Sequence, residues 1–201
     1  MTVVRTSITL GKLALRTLLW FPLCLAAWYF SAPHHVAIAG ELAHLLLNGL
    51  QPGMVSALEQ TGTDLAFVTN LKVQVDAGWT GLLVPEVNPL LYTYGLAFFV
   101  ALMLAANTQW WKILAGAIAL LPFQSWGIVF DLLMQVGIKL GPDIAAQAGI
   151  IGWHLEAIAL SYQIGNLIFP TLIPVVLWTS FNRLFIKSLL GSQAHNTSTQ
   201  P

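Results

Sequence analysis

Long apolar runs separated by short polar segments dominate the pattern of this chain. A helix that crosses a bilayer core needs roughly 20 mainly apolar residues. Four runs qualify: Leu13–Ala32, Pro89–Ala106, Ile113–Ile138 and Leu155–Phe181. The pattern therefore predicts an all-α membrane protein with four transmembrane helices in one polytopic domain, residues 13–187.

The segment 33–88 separates the first two apolar runs and is long enough to form a small module. Pro33-His34-His35 is expected to kink or stop the first helix. Apolar positions at helical spacing then predict a separate amphipathic helix over Val36–Leu50. This helix should lie at the membrane interface or pack on the helix bundle.

The second half of this insert changes to a period of two. Apolar residues or threonine recur at every second position from Leu65 to Val75, and the Met54–Gln60 run connects to them through the turn-forming Thr61-Gly62-Thr63-Asp64. We expect a β-hairpin or small sheet, followed by an irregular stretch over Asp76–Asn88. Because a lone hairpin is marginal in water, it should rest on the membrane surface, on the amphipathic helix or on a partner protein.

Composition supports the membrane assignment and predicts the orientation. Only 8% of the residues are charged and 57% are hydrophobic, whereas a soluble domain carries about 25% charged residues. Lys and Arg concentrate on cytoplasmic flanks. If the chain crosses four times, six of the eight basic residues fall on one side: Arg5, Lys12, Arg16, Lys112, Arg183 and Lys187. Both termini are therefore expected in the cytoplasm and the insert outside it.

Three smaller inferences follow from the same composition. The polar tail 191–201 is expected to be disordered in the cytoplasm. A formal net charge of zero leaves no basic field for nucleic acid. The N-terminal region also has the basic and apolar parts of a signal peptide, but an uncleaved anchor is the simpler interpretation because the rest of the chain is itself membrane-spanning.

Polar side chains within the spans are costly at membrane depth and are the candidates for function. Gln124, Asp131 and Gln135 share one face of the third helix. At 1.5 Å per residue, Asp131 lies near the outer boundary, and Glu156 begins the fourth helix at a similar depth. One cluster under the insert is expected to contain Asn88, Tyr92, Asp131, Gln135, His154 and Glu156. Gln124 and Gln163 are further candidates within the spans.

Three interpretations of this polar cluster remain open. It could hold the helices together by side-chain hydrogen bonds, contact an extracytoplasmic partner or substrate, or support catalysis or ion passage. No sequence motif supports the last of these. A single cysteine excludes an intrachain disulfide and a Cys-based zinc or iron–sulfur site, and Cys24, in mid-helix, is expected to pack. We therefore expect no catalytic residue, no metal and no cofactor.

Several segments carry a resemblance to a known family. They are Trp20–Cys24, Asn88–Leu96, Leu121–Gly127 with Phe130-Asp131, and Glu156–Gln163. Over roughly residues 13–187 the chain resembles the exosortase H-associated membrane proteins, which are encoded beside a bacterial transpeptidase-like sorting enzyme. The resemblance implies an inner-membrane accessory protein in a system that processes C-terminally tagged exported proteins, and it brings no catalytic residues.

The sorting enzyme itself is not expected here. Exosortases use a membrane-face cysteine with arginine and histidine, but Cys24 lies within the first helix and no arginine occurs between Arg16 and Arg183. A rhomboid-type peptidase is disfavoured because no span contains Gly-x-Ser-x-Gly. The expected function is thus a non-enzymatic accessory protein whose partners are the lipid bilayer and a membrane enzyme or exported substrate.

Two alternatives stay open beside this accessory role. One is a small transporter or ion-conducting protein that uses Asp131, Glu156, Gln124 and Gln163. The other is a membrane enzyme that uses His154 and Glu156 with Asp131, with or without a metal ion.

Overall fold

The computed structural model describes residues 10–76 and 79–187, so the tail prediction for 191–201 lies outside the described residues. The helices are α1 (Leu10–Leu50), α2 (Leu90–Thr93), α3 (Gly95–Ala105), α4 (Trp110–Met134), α5 (Pro142–Gln147), α6 (Trp153–Gln163) and α7 (Phe169–Phe181). The strands are β1 (Val55–Thr61), β2 (Asp64–Thr69), β3 (Lys72–Asp76), β4 (Trp79–Leu82) and β5 (Glu86–Val87). Two π-helical segments, Gln135–Lys139 and Ile164–Ile168, follow α4 and α6 directly.

The first helix does not stop where its sequence suggested. α1 continues through Pro33 to Leu50 as one helix of 41 residues, so the separate amphipathic helix over Val36–Leu50 was wrong. Proline inside a helix costs about 3 kcal/mol. Burial of Val36 and Leu47 in the main core offsets that cost, because each buried large aliphatic side chain contributes about 1.5–3 kcal/mol. The second half of α1 thus extends the first span beyond a bilayer thickness.

Three of the described helical stretches are long and apolar enough to cross a membrane: Leu10–Leu50, Trp110–Lys139 and Trp153–Phe181. The fourth predicted span, Pro89–Ala106, corresponds to the shorter apolar stretch Leu90–Ala105, in which α2 and α3 meet at Tyr94. Its 16 residues give about 24 Å of helix, which is less than a bilayer core of about 30 Å.

All four apolar stretches nevertheless share one end of the bundle. Leu13 of α1 and Ala105 of α3 form a small core with Trp178 of α7. Lys112 Nζ, near the start of α4, donates to the carbonyl of Phe181 at 3.2 Å. The chain therefore passes along the bundle in alternating directions, and the strands lie at the opposite end.

The hairpin prediction is confirmed, with its turn. β1 pairs antiparallel with β2 from Val55↔Thr69 to Thr61↔Asp64, and Gly62 adopts a positive φ of 63° in the two-residue turn. Leu65, Phe67 and Thr69 are buried on one face, as the alternation required. The hairpin thus places one apolar face against the helices.

The stretch after the hairpin is not irregular, which corrects the prediction for Asp76–Asn88. β4 pairs with β3 and β5 pairs with β2, so the order in the larger sheet is β1-β2-β5. The backbone N–H of Phe67 also donates to Pro85 and that of Thr69 to Leu83. Pairing with β2 and β3 recruits these short segments, whose own pattern is too brief to predict a strand.

The main hydrophobic core joins the sheet to the helices. Leu65 and Phe67 pack with Ala39 and Ala43 of α1 and with Leu132 of α4. Gly40 lies directly under Leu65, since a Cβ there would come within 2.8 Å of that side chain. At the hairpin tip, Gln60 Nε2 donates to the Pro33 carbonyl at 2.8 Å. The sheet is therefore built onto the second half of α1 and the end of α4.

Candidate functional site

The Asp131 carboxylate lies at the sheet end of α4 and is only 8% exposed. Lys139 Nζ lies 3.8 Å from Asp131 Oδ1 and 5.5 Å from the ring centroid of Tyr162. Asp131 and Lys139 are eight residues apart, about 12 Å along a regular α-helix. The π-helical segment between them changes the helical phase, and the long lysine side chain covers the remaining distance. Lys139 therefore neutralises the one buried carboxylate of α4.

Tyr92 of α2 completes this group, which we call the Asp131 cluster: Tyr92, Asp131, Lys139 and Tyr162. Its hydroxyl is buried and interacts electrostatically with Asp131 and Tyr162, although it meets ordinary hydrogen-bond geometry with no described residue. Gly127 makes room for the Tyr92 ring, because a Cβ at Gly127 would overlap that ring. The cluster is thus closely packed from three helices.

Two further predicted residues connect the sheet to the bundle. Gln135 Nε2 donates to the carbonyl of Glu86 in β5 at 2.9 Å. Asn88 Oδ1 accepts from the backbone N–H of Leu90 at 3.0 Å, at the start of α2. Both contacts lie where the chain passes from β5 into α2, a few residues before Tyr92. Gln135 and Asn88 therefore both make hydrogen bonds beside the junction of β5 and α2.

Glu156 lies in a different environment from Asp131. It is exposed in the first turn of α6 and lines an apolar groove of about 560 Å³. We call this the α4–α6 groove; its lining residues are Gly137, Ile138, Gly141, Pro142, Ala145, Ile150, Ile151, Gly152, Leu155, Glu156 and Ala159. The ring of His154 contacts that of Trp153 in a tilted arrangement, with the ring centroids 4.4 Å apart. Its Nδ1 is buried without a hydrogen bond to the described residues.

Gln124 lies deeper in the bundle, against α1. It is 3% exposed and its side chain lies beside the imidazole of His35, but the polar atoms of this pair do not reach hydrogen-bond geometry with each other or with other described residues. The neighbouring Ser125 donates its hydroxyl to the carbonyl of Ala39 at 2.9 Å. Gln163, by contrast, is exposed. Gln124 and Gln163, which were not expected in the outer cluster, thus differ from each other in burial.

Two potential nucleophiles are buried or hydrogen-bonded within the bundle. Cys24 packs against Ala97 and Ala101 of α3, as its position in mid-helix predicted. The hydroxyl of Ser125 is used by α1. Within residues 10–76 and 79–187, no group of three or more His, Cys, Asp or Glu is arranged to hold a metal ion.

Comparison with known proteins gives the family. The model of the exosortase H-associated membrane protein family matches residues 7–185. The chain belongs to this family. No curated protein and no solved structure matches the chain.

The family match confirms the resemblance read from the sequence and extends it over nearly the whole chain. The description of the family places the protein in a membrane and associates it with exosortase H. It assigns no role to any side chain, so the geometry above is what distinguishes the polar residues of this exosortase H-associated protein.

Sequence reasoning missed three residues that shape these sites. Lys139 had no predicted partner, because a residue eight positions after Asp131 does not lie beside it on a regular α-helix. His35 was expected at a helix break, not inside a continuous helix beside Gln124. Gln147 lies in residues 140–152, which join the π-helical end of α4 to α6 and which we call the connector between α4 and α6. It makes two hydrogen bonds with Lys72 of β3, and no local pattern predicts this long-range contact.

Proposed function

We propose that this protein crosses the bacterial inner membrane four times, with both termini in the cytoplasm, and acts as a non-enzymatic accessory protein of an exosortase H sorting system. Its sheet, the second half of α1 and the connector between α4 and α6 form an outer module. This module contacts the sorting enzyme or its exported substrate.

The observation that carries this proposal is the common core of the sheet and the helices. A sheet that shares its core with α1 and α4 holds one orientation relative to the bundle. A fixed surface at the outer end of membrane helices suits the presentation of a neighbouring protein better than it suits transport. The engaged hydroxyl of Ser125 and the buried Cys24 support a non-enzymatic role.

The candidate residues take different parts in this proposal. Asp131, Tyr92 and Gln124 are buried within the helix bundle, so they are not available to a partner. Asn88 and Gln135 position the sheet. Glu156 and Gln163 are exposed and, with His154 beside Glu156, are available to a partner.

The test is co-purification together with substrate processing. The tagged full-length chain is co-expressed with the exosortase H enzyme of the same genome and purified from membranes in a mild detergent. We expect the enzyme to co-purify, and processing of an exported substrate to fall in a strain that lacks this chain and to recover on its return. Absence of the enzyme from the purified fraction, together with normal processing in the deletion strain, would overturn the proposal.

A further inference from the structure

The α4–α6 groove combines an apolar wall with small residues. Ten of its eleven lining residues are uncharged, and five of them are glycine or alanine: Gly137, Gly141, Ala145, Gly152 and Ala159. Small side chains let another backbone approach closely within a membrane or at its boundary. The rim is apolar too, since Ile151 is 64% and Trp153 72% exposed. The groove therefore has the shape and chemistry to accept an apolar segment.

Contacts within the described residues hold the groove in place. Its connector carries glycines at positive φ at Gly141, Gly149 and Gly152, and Ile144 and Ile150 anchor it in the main core. Gln147 ties it to β3 through the backbone of Lys72, with hydrogen bonds of 2.9 and 3.1 Å. A preformed surface loses little conformational entropy when it binds.

The one charge in the groove has no counterion within this part of the molecule. Glu156 forms no ion pair with any residue in 10–76 or 79–187. Lys139 follows the lining residue Ile138 in the chain, but its ammonium is held by Asp131 and Tyr162. The start of α6 stabilises the negative charge of Glu156 and leaves its carboxylate oxygens open to an external cation.

We propose that the α4–α6 groove binds an apolar segment of the membrane partner that carries a lysine or arginine, and that Glu156 pairs with this cation. The inference rests on the accessory role proposed above and names the chemistry of the partner. An anionic lipid headgroup does not fit, because its phosphate would meet the carboxylate of Glu156. A neutral apolar segment would leave that carboxylate without a counterion.

The probe is a set of synthetic Leu/Ala helical peptides with one variable residue near one end: Lys, Leu or Glu. The full-length chain, with a photo-crosslinking residue at position 151, is reconstituted in phosphatidylcholine nanodiscs. We expect crosslinking to the Lys peptide to exceed that to the Leu peptide about fivefold, the ratio that an interfacial ion pair of about 1 kcal/mol gives. Glu156→Gln should abolish this preference, and Glu156→Lys should transfer it to the Glu peptide.

Asp143→Asn is the matched control, because Asp143 is also an exposed acid in the first turn of a helix, here α5, and follows the groove-lining Pro142. It should leave the Lys preference unchanged. Equal crosslinking of the Lys and Leu peptides to the wild-type chain, or a Lys preference that survives Glu156→Gln, would overturn the inference. Crosslinking that instead falls when phosphatidylethanolamine replaces phosphatidylcholine, with no preference among the peptides, would assign the groove to lipid and also overturn it.

Failure of this inference differs from failure of the proposed function. If the peptides show no preference while the enzyme still co-purifies with the wild-type chain, the partner binds elsewhere and only the groove assignment is wrong. If the Lys preference is present but the enzyme neither co-purifies nor depends on the chain for processing, the accessory role is wrong and the groove serves another apolar, cationic segment.

Discussion

Asp131 and Lys139 illustrate how a single charge is accommodated at the end of the bundle. A buried carboxylate is costly unless it is paired. Here Lys139 pairs with Asp131 and the Tyr92 hydroxyl interacts with it electrostatically, while the ring of Tyr162 lies under the ammonium of Lys139. Lys139 itself has a side chain that is 51% exposed, so it can remain solvated if Asp131 is removed. Loss of Lys139 should therefore lower the free energy of unfolding more than loss of Asp131.

Removal of the lysine should destabilise the protein more than removal of both charges. Lys139→Met leaves Asp131 buried without its counterion, and we expect a loss of about 1–2 kcal/mol in the free energy of unfolding. Adding Asp131→Asn should recover much of that loss. Thermal unfolding in detergent measures both. Lys187→Met, at the opposite end of the bundle, is the control and should change little; equal effects of Lys139→Met and Lys187→Met would contradict the pairing.

The close approach of Tyr92 to α4 gives a second prediction at this scale. A Cβ at Gly127 would overlap the Tyr92 ring, so Gly127→Ala should lower the free energy of unfolding by about 1–3 kcal/mol. Gly49→Ala is the matched control, because a Cβ there meets nothing within 4 Å and alanine favours the helix by up to about 1 kcal/mol. The unfolding midpoints of the two variants should move in opposite directions; a neutral Gly127→Ala would mean that Tyr92 does not pack there.

The sequence identified individual candidate residues by one rule, which is that a polar side chain is costly at membrane depth. That rule found Asp131 and Gln124, which are both buried. It did not find Lys139 or His35, because each becomes a neighbour only through a feature without a local pattern: the π-helical segment after α4 and the continuation of α1 through Pro33. The residue type thus identifies a candidate, but here an irregularity of the backbone determines which residue it contacts.

At the scale of elements, the hairpin was predictable and the length of α1 was not. A period of two and a turn with glycine determine the pairing of β1 and β2 locally. The same sequence logic identified Val36 and Leu47 on one apolar face but left open what covers it. The covering surface is the sheet with α4, and this tertiary contact is what carries the helix past a proline that local rules would place at its end.

The contact between the connector and β3 predicts a local rather than a global response. Gln147→Ala removes both hydrogen bonds to the backbone of Lys72. We expect faster amide hydrogen exchange in peptides that contain Lys72 or α5, with little change in α3 or α7, because local opening needs less free energy than unfolding of the core. Hydrogen-exchange mass spectrometry in nanodiscs measures this.

The control for this exchange experiment is Gln163→Ala, since Gln163 is exposed and lies outside the connector. It should leave exchange in β3 and α5 unchanged. Faster exchange throughout the chain in Gln147→Ala would show that these two bonds support the whole fold, and unchanged exchange at Lys72 would show that the contact does not form.

At the scale of the whole molecule, the structure and the charge pattern address different parts of the topology. Leu13, Ala105 and Trp178 share one end of the bundle, and the hairpin lies at the other. Geometry alone does not say which end faces the cytoplasm. The basic residues are concentrated near the end that contains Leu13, Ala105 and Trp178. By the positive-inside rule this end is expected to face the cytoplasm, so the hairpin turn is predicted to lie outside it.

The single native cysteine makes this topology directly measurable. Cys24 is 8% exposed and packs within the bundle, so the unmodified chain should give little background with a membrane-impermeant maleimide. Thr61→Cys, at the exposed hairpin end, should be labelled in intact spheroplasts. Gln109→Cys, an exposed site at the opposite end, should be labelled only after the membrane is disrupted. The reverse result would place the sheet in the cytoplasm, away from exported substrates, and would contradict the proposed accessory role.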